Sequence, residues 1–280
     1  MKALLVVCAN QIRVNEGFHH HNLKITNAED DFFGHKAYRE WADDVLTMFE
    51  GDHVVAQYAI ILTLTNEHFH ADMGVRSMLE KAITLYPIKR ELVDLEDAQI
   101  KYWADKDMLP SNVFRWLNFN KDNVLDRRLL AQWTAFLTHR HENSLDKDLV
   151  DDEKVYEMLI KEMAKMDKTS DLVDIIVKAE KKNPSQPIWK TTAWDYGLAL
   201  FKTWSSEGKS DEYILSLLKI QTNELPLKNP LVTLWIHYMK EKKVDPVHLL
   251  FPRLHEYYKD PKELENAIAA ENIQWQLRAN

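Results

Sequence analysis

The chain has 280 residues, 45% apolar and 29% charged, with six glycines, one cysteine and a formal charge of −8. That balance is globular, and the acid excess argues against a nucleic-acid backbone as the main partner. Cys8 alone cannot build an intramolecular disulfide framework, which suits a reducing compartment. With so few glycines and no Gly-x-Gly pair, turn-rich β architectures and phosphate-cradling loops are disfavoured, and no apolar run approaches the roughly 18–20 residues of a membrane span.

Met1 to Cys8 reads MKALLVVC. Its apolar stretch of about six residues is shorter than a secretory core requires, so an ordinary helix start is expected there. Lys36 to Glu50, around Trp41, predicts a helix that would close a preceding unit. Val75, Met78, Leu79 and Ala82 follow the i, i+3, i+4, i+7 rule of an amphipathic helix. Tyr156, Leu159, Ile160 and Met163 do the same, as do Leu172, Ile175, Ile176 and Ala179. Ser210-Asp211-Glu212 sets a capping hydroxyl and two acids at a positive helix end. Asn229-Pro230 and Asp245-Pro246 place a capping side chain before a first-turn proline, and Asp260-Pro261-Lys262-Glu263 has capping-box spacing. The expected fold is all-α, about twelve or thirteen helices joined by short loops.

Self-similarity organises these elements. A shift of 101 pairs Trp103 with Trp204, Ala98 with Ala199, Leu95 with Tyr196, Ile100 with Phe201 and Lys101 with Lys202. It runs ungapped through Val113/Ile214, Phe114/Leu215, Trp116/Leu217, Leu117/Leu218 and Phe119/Ile220; one inserted residue later, Trp133 meets Trp235 and Phe136 meets Tyr238. Upstream, at shifts of 97 to 98, Tyr58 pairs with Tyr156 and residues 78–82 pair with 175–179. The implied organisation is an array of units of about one hundred residues. Residues 1–52 are N-terminal helices with a partial preceding unit, 53–145 a first unit, 146–244 a second, and 245–280 partial helices of a following one. Leu264, Ala267 and Ile268 repeat the spacing of Leu172, Ile175 and Ile176.

The large rings read as core. Trp103 and Trp204 each end a helix, and Trp133/Phe136 and Trp235/Tyr238 follow about thirty residues later; rings facing one another across helices fill a small bundle, at ~150–250 Å² each. Tyr58 and Tyr156 belong to the same set. Residues 103–136 and 204–238, each a tryptophan, a Ser- or Pro-led helix and then W-x-x-Y/F, resemble the WY fold of oomycete effectors. The helices before them, carrying Tyr156 and residues 175–179, look like the L motif, so the units resemble tandem L-W-Y repeats of Phytophthora-type RXLR effectors. Phe136 departs from the pattern by lacking the hydroxyl. No Arg-x-Leu-Arg motif stands near the N-terminus, and Gln276-Leu277-Arg278 lies at the wrong end.

That resemblance implies a virulence protein, secreted and translocated into the host plant cell, that binds a host protein and suppresses immunity. In tandem members one partner is the scaffold subunit of host protein phosphatase 2A, which the resemblance offers as a candidate partner here. It implies no cofactor, no nucleic acid, no membrane, and a monomer. The competing reading is a helical-repeat scaffold of another lineage, although a period near one hundred far exceeds the 34–47 residues of HEAT or TPR repeats.

Enzymatic signals are weak, and no enzyme is expected. Histidines cluster at His19-His20-His21, His68/His70 and His139/His141, but i and i+2 on a helix point to different faces, and neither H-E-x-x-H nor C-x-x-C occurs. Cys8 has no neighbour marking it as a nucleophile. Asp151-Asp152-Glu153 before Tyr156-Glu157-Met158-Leu159 resembles an autophagy-receptor motif, yet Tyr156 and Leu159 lie on the apolar stripe, where such a motif is unreadable.

Overall fold

A computed structural model describes residues 31–68, 72–143, 151–166, 169–182, 192–218, 229–258, 260–267 and 269. The calls on Cys8, His19 to His21, His70, Ile268 and residues 276–278 lie outside them. Among the described residues the chain is all-α, with no strand, and it divides into two compact units. One comprises residues 1–119 and 126–150; the other comprises 120–125 and 151–280.

The first unit opens with a 3₁₀ turn, Phe32–Gly34, then α1, Lys36–Met48, and α2, His53–Thr63, capped by Asp52, whose carboxylate accepts from the N–H groups of Val54 and Val55 at 3.1 Å. A π segment, Leu64–His68, prolongs α2. There follow α3, Asp72–Leu85; α4, Arg90–Asp105; α5, Pro110–Trp116; and α6, Arg127–Glu142. Helix α4 is the axis, packing against α2, α3 and α6, while α5 lies against α3 and α6. Its buried residues explain why: Leu92, Leu95, Ala98, Ile100, Tyr102 and Trp103 point to more than one side of the helix, so neighbours must cover several faces.

The second unit is built from α7, Asp152–Met163; α8, Thr169–Lys182; α9, Thr192–Ser206; α10, Asp211–Leu217; α11, Pro230–Glu241; and α12, Val247–Tyr257. A further helical stretch covers 261–267. Here α9 is the axis and packs against α7, α8, α10 and α11, with α11 also on α8. Ser210 caps α10 by accepting from Tyr213 N–H at 3.1 Å, and Asn229 caps α11 by accepting from Leu231 N–H at 2.9 Å, with Pro230 in the first turn. Asp260 accepts from Lys262 N–H at 2.9 Å. At α12 the start is one residue later than the Asp245-Pro246 pair predicts: Pro246 itself holds the cap position and no side chain caps the helix.

The axis helices end alike. Met108 N–H returns to Trp103 C=O at 3.0 Å, and Lys209 N–H to Trp204 C=O at 3.0 Å. Between them, Asp107 (φ 52°) and Gly208 (φ 80°) take the left-handed conformation. This six-to-one closure satisfies carbonyls that a helix end leaves open and turns the chain into the next short helix.

Candidate functional site

The rings singled out from sequence occupy the interiors. Trp103, Trp133, Phe136 and Tyr58 are fully enclosed in the first unit, and Trp204, Trp235 and Tyr238 are buried in the second. Phe114 stacks on Phe119 at 5.1 Å, Trp133 meets both edge-on at 6.1 Å, and Phe136 lies 6.0 Å from Trp133. In the second unit Phe201 sits between Trp204, at 6.1 Å, and Tyr238, at 5.7 Å. None of these faces is open enough to stack a ligand. Tyr156 differs: it is half-buried, and Val155 joins Leu159, Ile160 and Met163 on the fully buried face of α7. Burial, with Asp195 and Asp152 nearby, pushes its phenol up to about 12. Leu159 is wholly enclosed, so the aromatic-x-x-aliphatic motif cannot be read as an extended peptide there.

A polar cluster that periodicity did not announce lies in the first unit. The Arg76 guanidinium on α3 is 2% exposed at the residue level, yet donates to Glu80 at 3.0 Å, Glu96 at 2.6 Å and Gln132 at 3.1 Å. Glu96 on α4, equally buried, also accepts from Arg128 of α6 at 2.6 and 3.2 Å. One carboxylate thus joins three helices. The available signal was an arginine inside an apolar stripe, between Val75 and Leu79, with a glutamate at i+4.

Beside it, on the outer face of α4, a cleft of about 270 Å³ opens between α2 and α6. Its apolar lining comes from Val54, Tyr58 and Ala98; its polar lining comes from Gln57 of α2, Asp94, Asp97 and Lys101 of α4, and His139 of α6. Asp97 is held above the usual carboxylate range by burial first, then by the charges of Glu96 and Asp94, with His139 pulling it back. His139 lies 3.4 Å from Glu142. Among the described residues no three His, Cys, Asp or Glu side chains stand close enough together to hold a metal ion, and no helix is long and apolar enough to cross a membrane.

The described residues therefore form a two-unit, all-α protein with aromatic cores. The chain is a distant homologue of an oomycete effector: it is 22% identical over 252 residues to RxLR effector protein CRE15 of Phytophthora infestans (strain T30-4), covering 86% of this chain. It spans 64% of that relative's length. No family model matches the chain, and no solved structure matches it significantly.

Proposed function

We propose that the protein is a secreted effector that works inside host plant cells by binding a host protein and so suppressing immunity, without catalysing a reaction. The observation that carries this reading is the likeness to an RxLR effector across 86% of the chain. Ring-filled interiors support binding over chemistry, because they spend the aromatic residues on folding and leave the surface to choose the partner. Exposed apolar side chains such as Ile88, Leu85 and Met73 are available for contact.

The two units are copies of one L-W-Y module in this reading. Supporting it, α4 and α9 are both axes, both end on a buried tryptophan with the same backbone closure, and both are followed by a seven-residue helix. The scaffold subunit of protein phosphatase 2A is the first host partner to test, on resemblance to tandem members alone.

The test is affinity capture from host plant extract followed by mass spectrometry, with Trp204→Ala as the fold-broken control. Enrichment of one host protein by the intact chain alone is the expected result. Equal recovery by chain and control would remove the reading and leave a helical-repeat scaffold.

A further inference from the structure

We infer that the turn between α3 and α4 is a docking tip for an acidic segment of a partner protein. The inference rests on the binding reading above and adds where, and by what chemistry, the partner is held. Lys89 N–H returns to Tyr86 C=O at 3.1 Å, so Tyr86, Pro87, Ile88 and Lys89 form one closed turn. Pro87 fixes its own φ, and the Tyr86 hydroxyl ties the base of the turn to Asp31 by donating at 2.8 Å. The apex residue is Ile88, 95% exposed, with Leu85 and Val93 exposed on either side. Turns favour glycine, asparagine, aspartate and serine, and so exposed an isoleucine adds nothing to the core.

The charges break a second local rule in the same few residues. Lys89 holds the N-cap position of α4 without a side-chain cap, and Arg90 is the first residue of the helix. A capping side chain is ordinarily an oxygen acceptor, and cations at that end oppose the helix dipole. Lys81 lies one turn before Leu85, on the same face of α3. Among the described residues none of these three cations is in an ion pair; Lys89 sits 5.0 Å over the Tyr86 ring. From Lys81 to Arg90 the chain has three cations and no acid, in a protein of charge −8. Local rules broken together, with no gain to the fold, mark a contact. An apolar tip among cations is complementary to apolar side chains flanked by carboxylates. A long polyanion, whether nucleic acid or an anionic bilayer, would also cover Asp31, Glu91 and Asp94, which border the turn. A short acidic segment avoids them.

The experiment is backbone-amide NMR on the full chain. The probe is an acetylated, amidated peptide with leucines between paired glutamates, run beside the same peptide carrying glutamines. Saturable shifts centred on Leu85, Ile88 and Val93 are expected with the glutamate peptide. Binding should weaken about fivefold or more with glutamine, and by as much in the Lys89→Ser/Arg90→Glu double variant. Ile88→Asn should weaken it about tenfold. Both variants restore ordinary turn and cap chemistry, so neither should lower the thermal midpoint, and the double variant should raise it by about 1–4 °C. A purely structural role would move stability the other way. Lower midpoints, equal shifts with glutamine, undiminished binding by the variants, or shifts lying elsewhere would each overturn the inference. Binding to phosphatidylserine vesicles without preference for the glutamate peptide would also overturn it, by assigning the turn to a lipid surface. Host capture is read separately. Equal recovery of a host protein by the parent and the turn variants keeps the adaptor reading and removes the turn from it. Saturable glutamate-peptide binding with no host protein recovered removes the adaptor reading and leaves the chemistry of the turn standing.

Discussion

Arg76 and Glu96, twenty residues apart in sequence, meet at 2.6 Å with both side chains only 3% exposed. Burying two charges costs several kcal/mol each unless the remaining donors and acceptors are filled. Here they are filled, because Arg76 also reaches Glu80 and Gln132, and Glu96 also takes Arg128. The pairing that aligns Trp103 with Trp204 sets Glu96 opposite Gly197, and the neighbouring registers set Arg76 opposite Val173 and Gln132 opposite Leu234. Val173 and Leu234 are buried. At the positions that this sequence pairing sets opposite the network, the second unit has a glycine and two buried apolar side chains.

Breaking the network on one side should be severe. Arg76→Ala leaves the Glu96 carboxylate buried with one partner fewer and is expected to destabilise the first unit by about 3–5 kcal/mol. Replacing the layer together, as Arg76→Val, Glu96→Ala and Gln132→Leu, should cost far less than the sum of the single changes, since no buried charge is stranded. Urea unfolding followed by tryptophan fluorescence measures both. A triple variant as unstable as the summed single variants would show that the apolar layer cannot be transplanted.

Gly197 is closely packed. A methyl group built there would stand 2.3 Å from Leu234 Cδ2 and 3.0 Å from Ile176 Cδ1. Gly197→Ala should therefore cost about 1–3 kcal/mol by overpacking, outweighing the gain of about 1 kcal/mol that alanine brings to a helix interior. Adding Leu234→Ala to Gly197→Ala clears the clash, so the second change should cost less in the variant than in the parent chain. A double-mutant cycle by thermal unfolding reads the sign; strict additivity would contradict the contact.

The all-α character, the caps at Ser210 and Asn229, and the placement of the large rings could be read from the sequence, because each depends on local spacing or on residue size. What could not be read depends on three-dimensional partners. Tyr156 and Val155 both lie near the apolar stripe of α7, and which is fully enclosed is decided by the packing of α9 against it. Arg76 interrupts an apolar stripe in the sequence; only Glu96 and Gln132, 20 and 56 residues away, make it a core residue. The α12 start falls one residue past the position that the Asp245-Pro246 pair predicts. The cleft is likewise assembled from three helices whose relative packing no motif encodes.

The ends of the axis helices give a prediction about backbone alone. Gly208 has φ 80° and open space around the missing Cβ, so Gly208→Ala meets no clash yet must hold a left-handed residue, at about 1–2 kcal/mol. Gly208→Asn, a residue more tolerant of that region, should recover part of the loss. Equal stabilities for the alanine and glycine forms would mean that the closure onto Trp204 C=O is not retained in solution.

Trp204 itself is the strongest test of the second core. Removing its ring should cost about 3–5 kcal/mol, a large share of the roughly 5–15 kcal/mol that holds an ordinary domain folded. Hydrogen exchange by mass spectrometry should show lost protection across α9 to α11, with protection on α4 and α6 retained. Trp133→Ala should reverse the pattern.

Asp195 supplies a pH dependence with a definite sign. Its carboxyl is raised above the usual range, first by burial and then by the charge of Asp152. A folded carboxyl that holds its proton more tightly than the unfolded one makes the folded state bind more protons between the two values, so stability falls as pH rises through that window. The penalty is fully present at pH 7 and absent below the unfolded value of about 3.8–3.9. Asp195→Asn should therefore stabilise the second unit at pH 7 and lose that advantage near pH 3.5. Because the side chain is only part-buried and sits in the first turn of α9, where a negative charge is favoured, the gain at pH 7 should stay below about 0.5 kcal/mol. Thermal unfolding of both forms across pH 3.5–7.5 measures it. A variant less stable than the parent at pH 7 and equal to it at pH 3.5 would mean that the helix end outweighs burial at this position, and that Asp195 acts as a first-turn acid stabilising α9.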